Sequence, residues 1–268
     1  MNQPPSGGDN DRMVPAAVNV PEPARRAPES SSLMGILRAE RAGLSQQLIL
    51  TELRRAILSG DVAPGTAVPV DEVAELFGVS RIPIRESLKT LIGEGLVDHQ
   101  PRAGYTVARL TPQEFRELYI VRGVLEIAAL SAAVDSAGPE DDRAAVEALD
   151  LLDRAMREKD YRAYQRESRR FHEALATPCR MPRLIHMIEL VWNITEPIQP
   201  MAHIRQRDRD DLHGEHREML EAFLARDRSR LLAITRRHMD ELESTVSDLS
   251  ATGLFDPPGG PATGPAAG

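Results

Sequence analysis

Apolar residues begin to recur at helical spacing near Leu44. Leu48, Leu53, Ile57 and Leu58, with polar residues between them, predict a helix that stops at Ser59-Gly60, followed by a turn at Pro64-Gly65. Asp71 to Phe77 reads as a short second helix with Val73, Leu76 and Phe77 apolar and Gly78 as its end. Ser80 stands just before the next periodic run and is a natural N-cap. The third helix is predicted from Arg81 to about Gly95, with Ile84, Leu88 and Leu91 on its buried face. Pro83 is tolerated because it falls in the first turn. After Gly95 the period shortens. Leu96-Val97-Asp98-His99 and Tyr105-Thr106-Val107-Ala108 read as strands around a turn at Pro101-Arg102-Ala103-Gly104, which makes a β-hairpin. Three helices and a hairpin outline a winged helix-turn-helix.

Thr111-Pro112-Gln113-Glu114 is a capping box with proline at the first helical position. From there to about Leu249 the pattern is helical, with N-caps at Asp160 and Asp227 and breaks at Gly138-Pro139 and Thr177-Pro178. About six helices and no strand predict an all-α bundle. The expected fold is therefore mainly α: a winged helix-turn-helix over 34–110 and a helical domain over 111–250. Segments 1–33 and 251–268, rich in Pro, Gly, Ser and Ala, read as disordered tails.

Composition narrows the class. The 268 residues carry a net charge of -8, which argues against indiscriminate coating of nucleic acid but not against a local DNA-reading surface. The one cysteine excludes a disulfide framework and fits a reducing cytoplasm. No apolar run reaches the roughly 18–20 residues that span a bilayer, so no membrane role is expected. The N-terminus lacks the apolar stretch of a secretory signal.

Two sets of residues point to chemistry. Arg81, Arg85 and Lys89 recur every fourth position, opposite the apolar stripe. They form either a solvated helix face or a DNA-reading one. In the second case an arginine meets a guanine or a phosphate, Ser80 donates to a phosphate, and Arg102 enters a minor groove beside Gly104. In the helical half, Arg122 and Glu126 interrupt the apolar run YIVRGVLEIAAL. They form either an internal ion pair or, with Arg122 facing a cavity, a site for a ligand carboxylate. His172, His216 and His238 lie on apolar faces of three different predicted helices. Each alone reads as a core histidine; together they can converge on Zn²⁺ or Ni²⁺.

The run ILTELRRAILSGDVAPGTAV…EVAELFGVSRIPIRESLKTLIGEGLV…RAGYTV resembles the N-terminal domain of the GntR family of bacterial transcriptional regulators. The resemblance implies a cytoplasmic homodimer on a short palindromic operator in double-stranded DNA. It places Ser80, Arg81, Arg85 and the wing around Gly104 at the DNA; Pro83 is among the matching residues, and the basic stripe and hairpin tip add Lys89 and Arg102. Many members have a DNA-contacting arginine at the start of the second helix. Here Asp71 stands there, which removes that contact and points to a different operator preference.

RGVLEIAAL, RRFHEALA, GEHREMLEAFLARD and RRHMDEL resemble the FCD effector-binding domain of the FadR-type subfamily. That likeness implies a small carboxylate effector at Arg122 and a divalent metal on His172, His216 and His238. The family's fourth ligand, an Asp, is replaced by Ser168, a poorer donor. Two other functions compete: a metal-dependent hydrolase on the three histidines, and an adaptor with a degenerate winged helix. No HExxH, GxSxG or Gly-rich phosphate loop supports the enzyme. Intact Ser80, Arg81 and Arg85 argue against the adaptor.

Overall fold

The computed structural model describes residues 32–38, 45–102, 104–249 and 255. Helix α1 (Leu33–Ile36) precedes α2 (Gln46–Leu58), strand β1 (Ala67–Val68), α3 (Val70–Phe77), α4 (Arg81–Gly93) and the hairpin β2 (Val97–Gln100) and β3 (Gly104–Val107). Helix α2 packs on α4, and α4 on α3. Ile49, Leu53, Ile57, Val73, Phe77, Ile84, Leu88 and Leu91 form their common core. Gly78 makes the α3–α4 turn possible: it sits in the left-handed region (φ 63°), and its N–H returns to the last turn of α3. The antiparallel hairpin pairs Val97 with Val107 and Gln100 with Gly104.

Several short features depart from expectation. Leu33 lies in a helix and is fully buried in the first core together with Leu37, so structure starts before Leu44. Strand β1 pairs Val68 with Tyr105 and makes the wing a three-stranded sheet in the order β1-β3-β2. Phe255, in the segment read as a tail, packs its ring tilted against Phe115 at 5.3 Å between ring centres. Apart from Ser32, Leu33 and Phe255, the two segments read as tails lie outside the described residues.

The second half is helical: α5 (Pro112–Ser136), α6 (Pro139–Glu158), α7 (Tyr161–Ala176), α8 (Pro182–Thr195), the four-residue α9 (Pro200–His203), α10 (Gln206–Leu224) and α11 (Arg228–Asp248). Short 3₁₀ turns at Thr177–Cys179 and Glu196–Ile198 follow α7 and α8. The capping box at Thr111 forms. Its hydroxyl accepts the Glu114 N–H, and the Glu114 carboxylate accepts the Thr111 N–H at 2.8 Å. Helix α5 packs against α11, α8 and α7, and α6 against α7. Asp160 and Asp227 cap as expected, accepting from Ala163 and Arg230.

The halves touch at a defined place. Asp61, just after α2, pairs with Arg162 of α7. Gly60 (φ 71°) lies so close to Gln199 that an added Cβ would come within 2.5 Å of its side chain. Gly95 faces Ile194 of α8. The end of α2 and the end of α8 thus meet beside α7.

Candidate nucleic-acid interface and buried histidine cluster

Helix α4 buries Ile84, Leu88 and Leu91 and turns Arg81, Ile82, Arg85 and Lys89 outward. The basic stripe is present in position, but two of its charges are already matched. Arg81 makes a two-pronged contact with Asp71 (Nε–Oδ1 2.6 Å, Nη2–Oδ2 2.9 Å), and Lys89 pairs with Glu86 at 2.7 Å. Arg85 makes no ion pair or hydrogen bond with a described residue. Ser80 holds the N-cap position but, against expectation, its side chain makes no capping bond. The reason is local: Pro83 stands at the third helical position and has no N–H to donate. The exposed Ser80 hydroxyl is therefore left to other partners. Ile82, 71% exposed, escaped the sequence reading because it falls off the Ile84-Leu88-Leu91 stripe. On the wing, exposed Arg102 sits at the hairpin tip in the left-handed region (φ 73°), two residues before Gly104 (φ 88°).

The three histidines meet as their faces suggested. His172 (α7), His216 (α10) and His238 (α11) are each buried, and each offers a ring nitrogen within 4.8 Å of the others. His172 Nδ1–H donates to Glu126 at 2.7 Å, and His238 Nδ1–H donates to Glu215 at 3.0 Å. The Tyr164 hydroxyl lies 3.5 Å from His216 Nδ1. With Nδ1 engaged in each ring, the Nε2 atoms turn inward, and those of His172 and His216 stand 3.1 Å apart. Oxygen partners on the outer nitrogens are what orient metal-binding imidazoles. Burial, reinforced by the neighbouring rings, pushes His216 well below its ordinary pKa. Burial also lowers His238, against the pull of Glu215. Both rings are neutral near pH 7, as ligation requires.

Arg122 and Glu126 form a buried ion pair. Glu126 accepts from Arg122 Nε (2.6 Å), from Trp192 Nε1 (3.1 Å) and from His172. Burial alone would raise its pKa, but Arg122 and His172 outweigh burial and hold it well below the carboxylate range. Its oxygens accept from Arg122, Trp192 and His172, the arrangement of an internal ion pair. The Arg122 guanidinium lies over the Trp192 ring, 3.5 Å from its centre, and borders a cavity with Ser168, Gln165, His216 and His238. The free volume there is about 10 Å³, room for one water.

Glu215, Tyr164 and Trp192 were not read from the sequence, since each reaches the cluster from a register that only the fold defines. Glu196 was also missed. It is buried beside the cavity wall, with Gln165 Nε2 at 3.5 Å, and burial pushes its carboxyl up to about 7.

Known proteins share both halves. Residues 45–107 match the family described as bacterial regulatory proteins, gntR family, and residues 117–241 match the FCD domain. The chain is 28% identical over 209 residues to the HTH-type transcriptional regulator BphR of Paraburkholderia xenovorans, covering 76% of this chain and 84% of that one. It is 26% identical over 210 residues to the gluconate operon transcriptional repressor of Bacillus licheniformis, covering 75% and 84%. The crystal structure of a GntR transcriptional regulator from Rhodococcus sp. RHA1 superposes with a TM-score of 0.67 at 25% identity, covering 75% of this chain and 96% of that one.

Proposed function

The chain belongs to the GntR family of bacterial regulatory proteins and carries an FCD domain, and from that premise we propose that it binds palindromic operator DNA as a cytoplasmic homodimer of the FadR type. The family and these relatives are transcriptional regulators, not enzymes, which removes the hydrolase alternative. The observation that carries the DNA reading is the free end of α4. Its inner face is sealed in the core, while Ser80, Arg81, Ile82 and Arg85 are exposed together at its first turns. Such an end fits a major groove, with Arg85 and Ser80 on phosphate, Arg81 on a base edge and Arg102 of the wing in the neighbouring minor groove. Pro83 shapes the turn, Gly104 leaves the wing backbone open, and Lys89 adds charge further along the helix.

The helical half is the sensor in this reading. Three imidazoles, each oriented by an oxygen partner on its outer nitrogen, fit Zn²⁺ or Ni²⁺. In a tetrahedral zinc site with about 2.0–2.1 Å bonds, neighbouring nitrogens stand roughly 3.3 Å apart, close to the 3.1 Å between His172 and His216. When bound, the ion supplies positive charge that holds an anionic effector. His172, His216 and His238 would be its ligands, with Ser168 a weak fourth. Arg122, kept in place by Glu126 and Trp192, offers its guanidinium edge to the carboxylate of a small metabolite. The cavity admits one water as it stands, so an effector enters only by displacing wall residues such as Met201 and Leu242.

Operator binding is tested by enriching duplexes from a random pool with the full chain and titrating the winner by fluorescence anisotropy at fixed salt. Arg85→Ala is expected to weaken binding to all sequences alike and to reduce the salt slope by about one, as loss of one phosphate contact does. Enrichment of no sequence at all would leave the adaptor reading in its place.

A further inference from the structure

Asp71 and Arg81 are 66% and 61% exposed, and a pair this open contributes little to folding. Its geometry is nevertheless specific. The carboxylate takes Arg81 from the side, through Nε and one hydrogen of Nη2. A guanidinium has five N–H donors, so this grip leaves the end edge free, with Nη1–H and the second Nη2–H pointing the same way. That end edge is a two-donor fork of the kind that meets guanine O6 and N7.

We propose that Asp71 is a positioning residue for sequence readout: it fixes the Arg81 fork for a guanine and turns it away from phosphate. The role presupposes the DNA-binding reading above. Two observations favour a base over a phosphate as the target. A phosphate on the same guanidinium would bring a second anion close to Asp71, whereas a guanine edge is uncharged and carries no such penalty. Ile82, next in the chain and bare to solvent, gains nothing from a phosphate but buries apolar surface against a thymine methyl. Arg85, one turn along and without an acidic partner among the described residues, keeps the phosphate role. The aspartate where many relatives have an arginine thereby exchanges one backbone contact for a rigid base reader.

The test uses the full chain and the duplex that the wild type enriches from a random pool. Anisotropy titrations at one salt concentration compare that duplex, versions with 7-deazaguanine at each guanine in turn, and a scrambled duplex. For the wild type, one guanine per half-site is expected to lose roughly tenfold or more in affinity when N7 is removed, as a bidentate base contact implies. Asp71→Ala should shrink that loss to under about threefold while binding the scrambled duplex more tightly, and Arg81→Ala should abolish the loss. Asp71→Glu, which keeps the carboxylate, should retain most of it. Full discrimination in Asp71→Ala, with every duplex bound more tightly, would overturn the positioning role and leave DNA binding intact. Indifference of the wild type to 7-deazaguanine at every position would overturn guanine readout itself. Failure to enrich any duplex would remove the DNA reading and this role with it.

Discussion

Each histidine of the cluster has its outer nitrogen facing an oxygen, and that fixes what the inner nitrogen can do. His238, its pKa lowered by burial, donates outward to Glu215 and so keeps a lone pair on Nε2, and His172 likewise turns Nδ1–H outward to Glu126. His216 faces a hydroxyl that either donates or accepts, so it alone can move its proton between nitrogens, and it completes the ligand set when Tyr164 accepts. Protein purified without a metal-affinity tag is therefore expected to hold about one divalent ion per chain. His216→Ala should lose most of it, as removal of one of three ligands implies. Equal metal in both by elemental analysis would reject the site. Burial made these residues legible in part. A histidine or a charge within an apolar stripe shows in the sequence, which is how His172, His216, His238, Arg122 and Glu126 were found. Which oxygen each one meets depends on helix register across the bundle, so the sequence leaves the partners of Glu126 open and gives no sign of Glu215, Tyr164 or Trp192.

Elements were legible where periodicity had room to repeat. Helices α2, α4 and α5 run 13, 13 and 25 residues, long enough for their apolar stripes to show, and α5 adds its capping box. Helix α1 has four residues and β1 has two, too few for any period to appear, and both are held by contacts distant in sequence. The capping box at Thr111 is a local signal of another kind, because both of its bonds lie within four residues. It starts α5 directly after the wing, at an exposed site. Thr111→Ala is expected to cost about 1 kcal/mol in urea denaturation. A change below a few tenths would mean that Pro112 and Glu114 start the helix unaided.

At the scale of the whole molecule, the two halves meet through Gly60 and Gln199, and through Asp61 and Arg162. Gly60 has a positive φ as well as a close neighbour, so both strain and overlap oppose a side chain there. Gly60→Ala is expected to destabilise by about 1–3 kcal/mol. Gly93→Ala, at the end of α4 with open space around it, serves as the control and should be neutral or slightly stabilising. Equal effects of the two would show that the contact carries no strain. This junction was not legible in advance, since nothing in a single sequence says which turn of one half faces which turn of the other. Effector and DNA, if they bias this junction, must alter each other's affinity by the same factor.

Helix α5 has a mechanical consequence. It is an unbroken rod of 25 residues, roughly 37 Å long at 1.5 Å per residue. Its far end turns sharply at Gly138-Pro139 into α6, its middle carries Arg122 at the cavity, and its near end follows β3 after four residues. Taken as a lever with its fulcrum at Ser136, it has arms of roughly 21 Å to Arg122 and 36 Å to Pro112. A tilt about that fulcrum that moved Arg122 by about 1 Å would move the root of the wing by roughly 1.7 Å, half the 3.4 Å rise of one base pair.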